Sequence, residues 1–115
     1  MNKLEIARKK SARGTIMALL YDNQSAPMLV RTLGMALTSQ DDHAMSEIGV
    51  HLYYLADKGY IRAYANGEDM RGDVAIPVSM SIQRDALVRI TADGIDLMEG
   101  TVDDEGVLFG DPDRN

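Results

Sequence analysis

The chain has 115 residues, 45% of them apolar and 26% charged, with no cysteine and a net charge of −6. That is the length of one domain at ordinary globular proportions, which excludes wholesale disorder. It excludes equally a disulfide framework, a thiol nucleophile and a thiolate metal site, and the acid excess argues against coating nucleic acid nonspecifically, because each phosphate contact needs a cation.

Residues 3–22 are predicted helical, with Ala12, Ile16, Leu19 and Leu20 on one side. The apolar cluster in this stretch, 16–21, is six residues long, far short of the ~18 that a membrane span needs. A cytoplasmic protein with no membrane segment and no conventional signal peptide is therefore expected. Asn23 and Gln24 break the pattern, and Ser25-Ala26-Pro27 signals a helix start, because serine caps and proline fits a first turn. The second helix should run to about Thr38 and bury Leu29, Leu33, Ala36 and Leu37. A polar turn follows, in which Asp41 or Asp42 can cap a third helix.

That third helix, roughly 42–58, has the clearest periodicity: Met45, Ile48, Leu52, Leu55 and Ala56 form one apolar stripe. Gly59 supplies its left-handed stop. A strand begins at once with Tyr60-Ile61-Arg62-Ala63-Tyr64, and Asn66-Gly67 opens a charged loop to Asp73. Strict alternation then predicts a strand over 74–83, at a sheet edge because Pro77 cannot donate to a ladder. A last strand spans 86–90, and a short helix spans 92–99 before Gly100. Two sections are read, a folded domain over 1–100 and an acidic tail over 101–115 that is expected to be flexible.

Charge is unevenly placed. Lys3, Arg8, Lys9, Lys10 and Arg13 against Glu5 give residues 1–14 a balance of +4. Residues 93–115 carry eight acids against Arg114, a balance of −7, and the middle carries −3. The two ends can be solvated charge that keeps the protein in solution, or a basic arm for phosphate with an acidic tail that competes with it. Inside the tail, Val107-Leu108-Phe109 is an apolar island. Docking motif, cover for its own domain and disorder all remain open for it. Of the eight methionines, Met28, Met35 and Met98 are expected to fill core gaps.

The element order makes the class α+β: three helices, an extended β-hairpin and a short C-terminal helix, the arrangement of a winged helix-turn-helix with 60–91 as wing. Leu52-Tyr53-Tyr54-Leu55-Ala56-Asp57-Lys58-Gly59-Tyr60-Ile61 resembles the "LxxLxxKGYI" that ends the recognition helix in many winged-helix proteins. Ile90-Thr91-Ala92-Asp93-Gly94-Ile95-Asp96-Leu97-Met98 resembles their "LTxxGxxxL" exit from the wing. Within that superfamily the chain looks most like small winged-helix proteins of Mu-like phages and prophages. The stretch 66–85 departs from the pattern, being longer than a simple wing needs.

The resemblance implies a DNA-binding transcriptional regulator of a phage or prophage, acting as a homodimer on double-stranded DNA. The third helix would enter the major groove, and its outward set is read as Glu47, Val50, His51, Tyr54 and Lys58, with Ser46 and Tyr53 at the margins. DNA-contact candidates are thus Ser46, Glu47, His51, Tyr54 and Lys58. Arg62, Arg71, Arg84 and Arg89 of the wing join them, with Lys9, Lys10 and Arg13 of the N-terminal helix. Bases are read mostly by Arg, Lys, Asn or Gln, and this helix is short of them. A protein-interaction module that binds a protein partner through the same elements is the competing reading. Arginines gathered on one face with the third helix would favour DNA, and an acidic or covered third-helix face would favour the protein partner. Leu4, Ile6, Met17 and Leu97 are the candidate dimer contacts, since winged-helix proteins often pair through their first and last helices.

Catalysis is not expected. His43 and His51 lie eight residues apart, about 12 Å along a helix axis, too far for one metal ion to bridge. The carboxylates fall in loops and tail, and the glycines of Asn66-Gly67 and Arg71-Gly72-Asp73 read as turn formers. No cofactor, catalytic residue or metal ligand is assigned.

Overall fold

The first helix, α1, spans Lys3–Asp22 and buries Gly14, Ile16, Met17 and Leu20 on one face. The computed structural model describes residues 3–38, 44–65, 68–70 and 86–107. After α1 the chain does not enter a helix at Ser25. Met28–Leu29 form a short strand, β1, and α2 begins only at Val30, running to Thr38. Met28 and Leu29 pair with Val88 and Leu87, and the Val30 N–H donates to the Ala86 carbonyl at 2.9 Å. A ladder partner far along the chain thus overrides the local Ser-Ala-Pro signal, as tertiary contacts commonly do.

The third helix, α3, is Ala44–Asp57. It ends in a pair of closing bonds, Tyr60 N–H to Leu55 O and Gly59 N–H to Ala56 O, both 3.0 Å. This is the Schellman pattern, and it requires the left-handed φ of 82° that Gly59 adopts. Three strands follow: β2 (Ile61–Ala65), β3 (Glu68–Met70) and β4 (Leu87–Ile90). With β1 they make an antiparallel sheet of order β1-β4-β2-β3. The predicted edge strand over 74–83 lies outside the described residues, as do Asp41, Asp42, His43, Arg71 and Arg84.

The last helix, α4, is Ala92–Met98, capped by Thr91, whose hydroxyl accepts the Gly94 N–H at 3.1 Å. The same hydroxyl donates to Gly59 O, and the Thr91 N–H donates to Tyr60 O at 2.9 Å. The end of α3 and the start of α4 are therefore one hydrogen-bonded joint. Gly94 allows it to close: a Cβ there would meet the Tyr60 carbonyl oxygen, Ile90 Cγ1 at 2.6 Å and Met17 Cε at 2.9 Å.

The core lies between the helices and one face of the sheet. Leu33 and Leu37 of α2 and Ile48, Leu52 and Leu55 of α3 meet Ile61, Ala63, Val88 and Ile90, which alternate inward along β2 and β4. Met17 and Leu97 are fully inside this core, so they are packing residues and not dimer contacts. Met28 and Met98 pack against it as gap fillers, whereas Met35 is 62% exposed on α2. The class is α+β. Among the described residues no helix is long and apolar enough to cross a membrane.

Residues 101–107 are not loose. They return to the body of the protein, and Val107 is as buried as the core leucines, at 2% exposure. Apolar burial of this size stabilises by about 1.5–3 kcal/mol, which offsets the ordering of a few tail residues. Residues 108–115 lie outside the described residues.

Candidate nucleic-acid interface

Successive residues of α3 stand about 100° apart around its axis. Ile48, Leu52 and Leu55 point inward, and His51 stands about 60° from Ile48 and about 40° from Leu55. It therefore belongs to the inward stripe, and the structure buries it at 1% exposure. Its place in an outward set is corrected on that ground. From Ile48 onward the face about 140–200° away from Ile48 carries Val50, Tyr53 and Asp57, all exposed. That face is apolar, aromatic and acidic, and it holds no cation among the described side chains. Ser46 and Glu47 lie in the first turn of α3.

Tyr54 and Lys58 occupy a flank of α3 and not its outward face. The Arg13 guanidinium of α1 lies 3.8 Å from the centre of the Tyr54 ring, and the Lys58 ammonium lies 5.7 Å from it. Two cations over one ring are a favourable but crowded arrangement. The returning C-terminal segment completes it. Asp104 pairs with Lys58 at 3.4 Å and accepts the Tyr60 hydroxyl at 2.6 Å. Its other oxygen accepts the Gly106 N–H at 2.7 Å, and Arg13 Nη1 donates to Gly106 O at 3.1 Å. A Cβ at Gly106 would strike the Tyr54 hydroxyl, so any larger residue there makes the Tyr54 ring or the segment shift.

These contacts set the titration of the cluster. Burial pushes the Asp104 carboxyl up, but the Tyr60 hydrogen bond, the Gly106 N–H and the Lys58 ammonium outweigh it and hold the group below its ordinary value. Burial first, and then the hydrogen bond to Asp104, push the Tyr60 hydroxyl up to about 12. Tyr21 is also raised, chiefly by its 2.7 Å hydrogen bond to Glu99.

Of the expected wing arginines, Arg62 of β2 and Arg89 of β4 are direct cross-strand partners. Directly opposed residues share a face of the sheet, here the one turned away from the core. Arg62 is exposed and Arg89 half-buried, with Arg89 Nη1 donating to Ile90 O at 3.2 Å. Lys9 and Lys10 are half-buried on α1, and Leu4 and Ile6 stay exposed near its start at 64% and 39%. The structure thus brings Arg13, Tyr54 and Lys58 together, and separately Arg62 and Arg89. The pairings of Asp104 were missed, because a tail aspartate among many gives no local signal; the apolar Val107 beside it was the available clue. Among the described residues no group of three or more His, Cys, Asp or Glu could hold a metal ion. No protein-family model, no curated protein and no solved structure matches the chain.

Proposed function

We propose that this chain is a winged helix-turn-helix protein that binds double-stranded DNA, a phage or prophage transcriptional regulator acting as a homodimer in the cytoplasm. The order of three helices, antiparallel hairpin and short helix supports the fold reading, and the joint of Gly59, Thr91 and Gly94 gives its two resembling motifs a physical use. The observation that carries DNA binding is the opposed pair Arg62 and Arg89. Two guanidinium groups brought to one face of the sheet can each offer charge-assisted hydrogen bonds to a phosphate backbone. Contact is then mainly to the backbone, because the outward face of α3 offers Val50, Tyr53 and Asp57 to the groove. Leu4 and Ile6 are the remaining dimer candidates.

The test is binding of the full chain to a random duplex pool across a salt series. Affinity should fall steeply with salt, and Arg62→Ala with Arg89→Ala should weaken binding on all sequences alike. Each lost phosphate contact should reduce the salt slope by about 1. No binding at low salt, or binding indifferent to salt, would falsify the reading. A second reading, docking of a protein partner, is favoured by one observation: Val50 and Tyr53 are 48% and 44% exposed side by side on α3. Tyrosine is enriched at protein contacts and charge is depleted from their centres. Under that reading Tyr53→Ala abolishes partner capture and the arginine variants leave it intact.

A further inference from the structure

We propose that residues 103–107 are a displaceable strap that occupies a phosphate-binding position on the flank of α3, so that the free protein is held in a low-affinity state. The inference rests on the DNA-binding reading and adds its regulation.

The strap presents to Arg13 and Lys58 the groups that a nucleic-acid backbone would present. A carboxylate oxygen sits on the Lys58 ammonium, and a carbonyl oxygen sits on Arg13 Nη1. Its fit is incomplete. Arg13 Nε is buried and has no hydrogen-bond partner, and a guanidinium is built for two parallel bonds to one anion. A phosphate at the place of the Gly106 carbonyl would take both donors. Lys58 keeps 44% of its side chain exposed, so an incoming anion reaches it without unfolding the joint beneath. The anchor is small: one carboxylate, one carbonyl and the Val107 side chain. Such a contact can be exchanged for a phosphate while α1, α3 and the sheet stay in place. The charge segregation of the chain has the same sense, since the segment that covers these cations comes from its most acidic part.

Three full-length proteins decide the matter: wild type, Asp104→Asn and Gly106→Ala. The first change removes the Asp104 carboxylate charge that pairs with the Lys58 ammonium, and the second drives a methyl group into the Tyr54 hydroxyl. Both should bind a random duplex about tenfold more tightly than wild type at low salt, a size typical of coupling between competing events. Independently of any variant, the Gly106 and Val107 amides of wild type should exchange slowly in the free protein and quickly when duplex is added. That readout stands even if a variant folds poorly. Equal DNA affinity in all three proteins, with the two amides still protected in the complex, overturns the strap and leaves DNA binding intact. Absence of DNA binding in all three, with the amides already exposed in the variants, overturns both.

Discussion

At the scale of single residues, the strap contacts make a pH signature with two edges. Asp104 has its folded value lowered, so its stabilisation is fully present above the ordinary carboxylate range of about 4 and lost as pH falls through the folded value. Tyr60 has its folded value raised to about 12. Its contribution is complete below about 10 and lost as pH rises through the folded value. The cluster is therefore intact across the neutral range. An absorbance titration of tyrosinate, with Tyr60→Phe subtracted, should show Tyr60 ionising late. In Asp104→Asn it should ionise earlier, though still above an ordinary tyrosine, because burial is the larger cause. A Tyr60 that titrates normally in wild type would contradict the hydrogen bond. Gly94 offers a sharper stability test. Gly94→Ala places a methyl against a backbone carbonyl and two core side chains, and should cost about 3 kcal/mol, the upper end of the usual overpacking range. A urea midpoint equal to wild type would show that the joint can open freely.

At the scale of elements, the sequence was most legible where local and tertiary preferences agree. The 3–22 helix, the stop at Gly59 and the strand after it are all found within a residue or so. It misled at 25–27, where a good cap lost to pairing of Met28 and Leu29 with β4, a partner that local composition cannot reveal. On α3, Ile48, Leu52 and Leu55 of the expected stripe are buried, and His51, expected to face outward, stands about 40° beyond Leu55 at the margin of that stripe. Polar identity is a weak guide when angular position says otherwise. The two alternatives predict opposite mutant behaviour. His51→Ala should destabilise the fold by about 2 kcal/mol or more, as large-to-small core changes do. Tyr53→Ala, at 44% exposure, should stay within about 0.5 kcal/mol of wild type. Denaturant unfolding of the two variants side by side separates them, and a neutral His51→Ala would return that residue to the surface.

At the scale of the molecule, the C-terminal part closes the structure onto its first helix. Tyr21 of α1 donates to Glu99 across 78 residues, and Arg13 donates to Gly106 across 93. The net charge of −6 hid this, because an acidic tail reads as solvated unless one of its acids finds a cation inside the fold. Asp104 finds Lys58, and Val107 finds the core. Contacts so distant in sequence form late, after loop closure has cost its entropy, yet they tie the end of α4 and the segment after it to α1. A chain stopped after Gly100 should therefore lose more than an idle tail. Burial of Val107 alone accounts for about 1.5–3 kcal/mol, and the unpaired Arg13 and Lys58 add repulsion across Tyr54. We expect the truncated chain to unfold at clearly lower urea, with earlier amide exchange in α1 around Arg13. Stopping after Val107 should retain the wild-type midpoint, because every strap contact described above is kept. If both truncations unfold with the full chain, 101–107 contributes nothing to stability and the closure of the fold resides wholly in α4.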